Sequence, residues 1–458
     1  MERIKPKVDF TEGPMFVRLF LFALPIMLTG MLQIFYNMAD HIVVGNFSGD
    51  ELALAAVGST ASFTGLITSL LMGIASGASV TVAQFYGAKN DGAVSRSVHT
   101  AMTFSLIGGV VIGVIGFLIA RPAFELIGIN ADILDKTELY FKIVAVGFPA
   151  MSVYNFGASV LRAVGDSKTS LIVLSVSGLV NVLLNLVFVI CFGMSVDGVA
   201  WATVISQYVS AVWIVVHLMK KRGECYGFSI SKVAIDGGLL LRILRYGIPT
   251  GIQSALFCLS NVIITGAINT FPTSTITAKT IEGSIDNITY ISMNCYLHAA
   301  MTFTGQNYGA KKIGRIKKTL LYSVIQVGTI GILVSWIELL LAKPLCSLFV
   351  DSSMVGVDLI IEEAIGLMYM ILPFYFLCGL MEVFSGTLRG LGYSITPMVI
   401  SLIGACLFRI LWITFVFPLP EFNSMWGIMM VYPITFTLTA LALLILLLFS
   451  IRKLSKAA

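Results

Sequence analysis

The chain has 458 residues, of which 57% are hydrophobic and only 12% charged, with a formal net charge of +5 and a mean hydropathy of +0.93. Soluble globular proteins do not carry that balance, whereas a helical protein with many membrane crossings does. The basic residues fall in short groups between apolar runs, which excludes a nucleic-acid footprint and marks them as topology signals.

The opening stretch MERIKPKVDFTEGP is charged and leads into an apolar run too long for a signal-peptide core, so an uncleaved first helix is expected. A helix rises about 1.5 Å per residue, so about 20 residues cross a hydrocarbon layer about 30 Å thick. Runs of that kind lie at 15–44, 52–80, 94–119, 134–161, 170–192, 196–219, 240–268, 274–304, 319–342, 358–388, 395–417 and 425–450. They predict an all-α polytopic membrane protein of twelve transmembrane helices, because these runs are too long for barrel strands.

The first run is interrupted by Pro25, which predicts a kink, and carries Asp40 in its second half. A carboxylate facing lipid at that depth costs several kcal/mol, so Asp40 is expected to face protein or water and to serve function. Alternate connections are basic, with Lys89 and Arg96, then Arg162 and Lys168, then Lys220, Lys221 and Arg222, then the group from Lys311 to Lys318. Both termini are basic as well, which predicts that both lie in the cytoplasm of a cell with this chain in its plasma or inner membrane.

The sequence also repeats itself. Ala83-Gln-Phe-Tyr-Gly-Ala-Lys89 returns as Gly305-Gln-Asn-Tyr-Gly-Ala-Lys311, and Leu161-Arg-Ala-Val-Gly-Asp-Ser167 returns as Leu388-Arg-Gly-Leu-Gly-Tyr-Ser394. Pro25 answers Pro249, and Pro149 answers Pro373. An even number of crossings per repeat predicts two pseudo-symmetric six-helix lobes related by an axis along the membrane normal. The expected division is an N-lobe over 1–219, a polar cytoplasmic linker over 220–239, and a C-lobe over 240–458.

In the first lobe, oxygen-bearing side chains gather at matched depth: Asp40, Asn155, Asn181, Asn185 and Thr203. Asn181 and Asn185 are four apart and share a face. One carboxylate with several amide and hydroxyl oxygens suits a small hard cation, and the same acid can exchange a proton instead. Each Asn taken alone also fits interhelical hydrogen bonding. In the second lobe, Lys279, Glu282 and Asp286 share one face of helix 8, with Glu382 on helix 10 and Arg409 on helix 11. Internal pairing is expected of Lys279 with one acid, and of Glu382 with Arg409. The surplus acid on helix 8 suits a cationic substrate or a proton relay.

Flat rings and pliable methionines suit loosely specific binding of greasy cations. The candidate substrate cavity is therefore drawn from Tyr36, Glu282, Asp286, Tyr290, Met293, Glu382 and Arg409. No GxxxxGK[ST], HExxH or GxSxG motif is present, which argues against direct use of ATP and against an enzyme. The seven Cys lack metal-type pairing and read as free thiols.

The duplicated Gln-x-Tyr-Gly-Ala-Lys and Leu-Arg-x-x-Gly segments, Asp40, Asn181-Val-Leu-Leu-Asn185 and Gly198-Val-Ala-Trp-Ala-Thr203 make the chain resemble a known family. It is similar to the multidrug and toxic compound extrusion (MATE) transporters, most of all their bacterial DinF-like branch, from about Met15 to Ser450. The resemblance implies a V-shaped pair of six-helix lobes and export of organic cations or xenobiotics against inward Na⁺ or H⁺. It places the cation site at Asp40, Asn155, Asn181, Asn185 and Thr203, with Asp40 and Asn181 as ligands in a sodium-coupled protein.

Two departures from the family pattern stand out. Some relatives have Asp where Asn185 stands, so Asp40 alone can change charge in this cluster. Another branch places acids in helices 7 and 10. Here helix 7 offers Gln253 and Asn261, and Glu382 is shifted by about one turn, which leaves Glu282 as the better acid in the second lobe. The expectation is a secondary antiporter working by alternating access, with one monovalent coupling cation at Asp40, no cofactor beyond that ion, a small cationic amphiphile as cargo, and a monomer in the bilayer. The alternative is a flippase for lipid-linked precursors, which calls for a basic cavity that the acid-rich helix 8 does not suggest.

Overall fold

The computed structural model describes residues 9–47, 52–350 and 356–457, and among them it is helical with no strand. Twelve long helices follow in order: α1 Met15–Phe47, α2 Ala53–Gly87, α3 Asp91–Ile127, α4 Ala131–Ala163, α5 Lys168–Cys191, α6 Val196–Lys220 and α7 Gly237–Ile268. Then come α8 Thr273–Gly309, α9 Ile313–Leu340, α10 Val357–Gly390, α11 Ile395–Val416 and α12 Met425–Lys456. This is the twelve-helix architecture that hydropathy predicts. Several helices run a turn or more beyond their apolar runs, α2 to Gly87 for example, because hydropathy marks only the part that meets hydrocarbon.

Eleven of the twelve are long and apolar enough to cross a bilayer. The exception is α8, whose polar side chains lower its hydropathy. It packs against α9 and α10 and buries Glu282, Thr289, Ser292, Gln306 and Asn307. Its second half, from Ser292 to Asn307, is almost wholly buried and shows lipid little surface, whereas Thr280, Ser284 and Asn287 in its first half are exposed. The opposite case is α3, which shows lipid a stripe of exposed Val110, Val114, Ile115 and Leu118.

The chain divides into two compact units, one containing Leu28–Gly251 and the other Phe10–Met27 with Ile252–Ala458. Both changes of unit occur inside a helix, two residues after Pro25 in α1 and two after Pro249 in α7. In the first unit α4 is the central helix, packed by α2, α3 and α6 around a cluster that includes Phe124, Phe141 and Phe148. The start of α7 joins this unit by close approach to α2. A Cβ on Gly73 would strike the backbone of Gly251, and one on Gly247 would strike the backbone of Ile74. Small residues of this kind let membrane helices pack backbone to backbone.

The connection after α6 is folded against α3. The Ser229 N–H donates to His99 Nε2 at 3.0 Å, His99 stacks on Phe228, and the Asp236 N–H donates to Thr100 Oγ1 at 3.1 Å. In the second unit the segment before α1 is held in a comparable way. Phe10 stacks on Phe303 with ring centroids 3.8 Å apart, its N–H donates to Gln306 Oε1, and Arg315 Nη2 donates to its carbonyl at 3.0 Å.

The sequence repeat is also a repeat of backbone geometry. Lys89 and Lys311, the last residues of the paired segments, are the only described non-glycine residues at positive φ, 55° and 57°. Gly165 and Gly392 turn at 93° and 95°. Each turn is closed alike, with Gly165 N–H to Arg162 O and Asp166 N–H to Leu161 O in one, and Gly392 N–H to Arg389 O and Tyr393 N–H to Leu388 O in the other.

Candidate functional site

Within the first unit, α1, α2, α4, α5 and α6 line a partly open cavity of 490 Å³ whose wall carries polar side chains among apolar ones, including Asp40, Asn155, Asn181, Thr203 and Tyr36. Helical spacing brings several of these oxygens inward. Gln33, Asn37 and Asp40 recur at i, i+4 and i+7 on α1, Met151 and Asn155 at i and i+4 on α4, and Thr203, Gln207 and Ser210 at i, i+4 and i+7 on α6.

Four of the five expected cation-site residues form one hydrogen-bonded chain. The Asn185 amide donates to Asp40 Oδ1 and, at 3.4 Å, to Asn181 Oδ1. Asn181 Nδ2 reaches Thr203 Oγ1 at 3.4 Å, and that hydroxyl donates to Val199 O at 3.0 Å. Asn155 lines the same cavity, but its amide nitrogen is turned back to Met151 O of its own helix at 2.9 Å. Among the described residues no Lys or Arg forms an ion pair with Asp40. The carboxylate is therefore held by a neutral donor, the Asn185 amide.

Local structure serves this arrangement. Asn185 is fully buried, and just beyond it α5 loosens into a wide turn, Val187–Cys191, closed by Phe192 N–H to Val187 O at 3.1 Å. Wide turns of this kind recur where helices carry function. Tyr36, one turn before Asp40, fixes the second half of α1 on α5: its hydroxyl donates to Ser175 O at 3.1 Å, and its ring fills the space that a side chain at Gly178 would need. Gln33, Asn37, Tyr140 and Gln207 also line the cavity, and the sequence reading did not select them. The available signal was their spacing from Asp40 and Thr203. A larger groove of 860 Å³ along α6, lined by Trp201, Tyr208 and Trp213, is almost entirely apolar and reads as lipid-facing surface.

In the second unit, the expected substrate residues are placed as follows. Lys279 and Glu282 form an ion pair on α8, with Glu282 fully buried. Asp286 lies one turn further and is half-buried, and the Tyr290 hydroxyl accepts from Asn294 Nδ2 at 3.3 Å. Met293 is buried against Gly331 and Gly379. The expected pairing of Glu382 with Arg409 does not form. Arg409 donates to Thr435 Oγ1 at 3.2 Å and lies over the Tyr432 ring at 4.4 Å, so aromatic faces take the place of the acid. Arg389, in the last turn of the same helix as Glu382, is buried and donates to Gln253 Oε1 at 3.0 Å.

A family model described as MatE matches residues 25–187 and 249–413, one match for each repeat. The probable multidrug resistance protein YoeA of Bacillus subtilis (strain 168) is 29% identical over 394 residues, covering 83% of this chain and 82% of that protein. The probable multidrug resistance protein NorM of Thermotoga maritima is 25% identical over 394 residues, covering 83% and 81%. A crystal structure of MATE in complex with MaL6 superposes with a TM-score of 0.90 over 98% of each chain at 21% identity, a likeness of fold. With the family model matched across both repeats, including Asp40 and its asparagines, the chain belongs to the MatE family of multi-pass membrane proteins.

Proposed function

We propose that this protein is a secondary antiporter that exports small cationic amphiphiles in exchange for Na⁺ or H⁺, as a multidrug efflux system of the plasma membrane with both termini in the cytoplasm. The observation that carries the reading is the bond between Asp40, on the cavity wall, and the buried Asn185, with no Lys or Arg ion-paired to the acid among the described residues. The names of the two relatives reported above, probable multidrug resistance proteins from two bacteria, support drug-like cargo.

In this reading Asp40 takes up the coupling cation, and Asn181, Asn185 and Thr203 supply neutral oxygens around it. For Na⁺ those oxygens replace water, and for H⁺ the carboxyl becomes a donor instead of an acceptor. Either event changes what Asp40 asks of Asn185 and so biases α1 between two positions. Cargo and ion need only favour different states for their fluxes to couple. One acid implies one monovalent cation per cycle at this site.

The test is efflux of a fluorescent organic cation from proteoliposomes under a sodium gradient alone and a pH gradient alone. Wild type is expected to respond to at least one gradient, and Asp40→Asn to neither. Dye movement indifferent to both gradients in wild type removes antiport.

A further inference from the structure

Helix α6 divides its faces. Thr203, Gln207 and Ser210 line the cavity that holds Asp40. Ile205, Tyr208, Val212 and Val216, at i, i+3, i+7 and i+11, are exposed on another face and line a groove of 860 Å³ that also takes in Val146 of α4. Pockets that seat small ligands have volumes of about 300–1,000 Å³. The Tyr208 hydroxyl is used within the protein, donating to Val146 O at 3.0 Å, so it adds no free polar group to this wall.

The groove changes character at one end. Its apolar wall along α6 gives way to His217 and Lys220, and the chain continues as Lys221 and Arg222. Lys220 lies twelve residues beyond Tyr208, about 18 Å along the helix axis, which is close to the depth of one leaflet. Two acids stand nearby. Asp166 Oδ2 is 3.8 Å from His217 Nε2 while the carboxylate also accepts from the Thr169 N–H and hydroxyl, and Glu224 follows Arg222 by two residues. Lys220, Lys221 and Arg222 form no ion pair among the described residues.

Uncovered apolar surface at membrane depth calls for alkyl chains, and unpaired cations at its rim call for anionic oxygen. A phospholipid of net negative charge carries both in one molecule. We propose that the α6 groove is a binding site for one anionic phospholipid, with an acyl chain lying against Val146, Tyr208 and Val212 and the headgroup phosphate held by Lys220, Lys221 and Arg222. The site lies on the opposite side of α6 from Thr203 and does not depend on the antiport reading.

The experiment uses the full chain in phosphatidylcholine nanodiscs that contain a trace of photoreactive lipid with a diazirine on its acyl chain. One probe carries a phosphatidylglycerol headgroup and the other a phosphatidylcholine headgroup. After illumination, peptide mass spectrometry reads the label on α6. The phosphatidylglycerol probe is expected to label α6 at least tenfold more than its phosphatidylcholine twin. Replacing all three cations, Lys220→Gln, Lys221→Gln and Arg222→Gln together, is expected to bring the two probes level. Val212→Trp fills the groove, leaves the cations in place and is expected to lower labelling severalfold, whereas Val114→Trp on the exposed stripe of α3 is expected to leave it unchanged. Inorganic phosphate, compared with chloride at equal ionic strength, is expected not to compete. Equal labelling by both probes means ordinary surrounding lipid and overturns the proposal. So does a preference that survives loss of the three cations, labelling indifferent to Val212→Trp, or displacement by inorganic phosphate, which would assign the cations to a soluble anion.

Discussion

The Asn185 amide donates to the Asp40 carboxylate across 145 residues of sequence, joining α1 to α5 at the wall of the polar cavity. A hydrogen bond to an ionised group contributes about 1.5–3 kcal/mol, or about 10- to 100-fold in an equilibrium. Asn185→Ala is therefore expected to weaken cation-driven efflux at least tenfold while leaving the protein folded. Asn185→Asp is expected to raise the number of cations exchanged per cargo, because two adjacent acids need a second positive charge. Charge movement measured alongside dye flux checks both, and an unchanged ratio in Asn185→Asp would contradict the one-acid, one-cation account.

Tyr36 and Gly178 interlock, since the ring occupies the place where a Cβ at residue 178 would go. Gly178→Ala is expected to reduce efflux severely by pushing the second half of α1 away from α5. Tyr36→Phe removes only the bond to Ser175 O, about 0.5–1.5 kcal/mol, and is expected to act mildly. The decisive measurement is the double variant Gly178→Ala/Tyr36→Ala. Removing the ring should restore room for the methyl group, so the two effects should fall well short of additive.

The close approach of α2 and α7 makes a thermal-stability prediction. At Gly77 a Cβ would meet the Ile243 carbonyl and the backbone of Gly247, which cannot yield as a side chain can. Gly77→Ala is expected to destabilise by about 1–3 kcal/mol. Gly58, on the same helix with open space around it, is the control, and Gly58→Ala is expected to hold or raise the unfolding temperature. Equal loss at both positions would argue against this packing.

Cys225 lies in the connection between α6 and α7, where burial first, and then the nearby carboxylates of Asp91 and Glu224, push its thiol up to about 12. An acid whose pKa is raised holds its proton longer, so at pH 8 this thiol carries about a thousandfold less thiolate than its ordinary value gives. In a variant whose other cysteines are replaced, alkylation by a soluble maleimide is expected to be slow at pH 8 and to climb steadily as pH rises toward 11. Asp91→Asn removes one of the charges and is expected to speed the reaction at fixed pH. Fast labelling at pH 7 would place the thiol in a different environment.

Much of this molecule was legible before any coordinates. Hydropathy located the twelve helices, because lipid leaves a chain few alternatives. The chain Asp40, Asn185, Asn181 and Thr203 was legible because a lone intramembrane acid narrows the search and a four-residue spacing puts two amides on one face. What stayed hidden was pairing between helices that no spacing relates. Arg409 was expected to meet an acid and turns instead to Thr435 and Tyr432. Glu338 looks like a helix-end glutamate until Thr289 is seen to hold it. The helical span of α8 was readable, but the burial of polar groups along its second half is a tertiary fact.

The matched turns at Lys89 and Lys311 carry one more implication. A left-handed lysine is strained by about 1 kcal/mol or more, and the chain accepts that strain twice at corresponding places. Duplication has thus copied the scaffold's corners faithfully while the chemistry between them drifted, with amides around a single acid in one half and an ammonium among several acids in the other. An artificial tandem of two first halves should reproduce both corners while carrying the Asp40 cavity twice and the Lys279–Glu282 ion pair not at all.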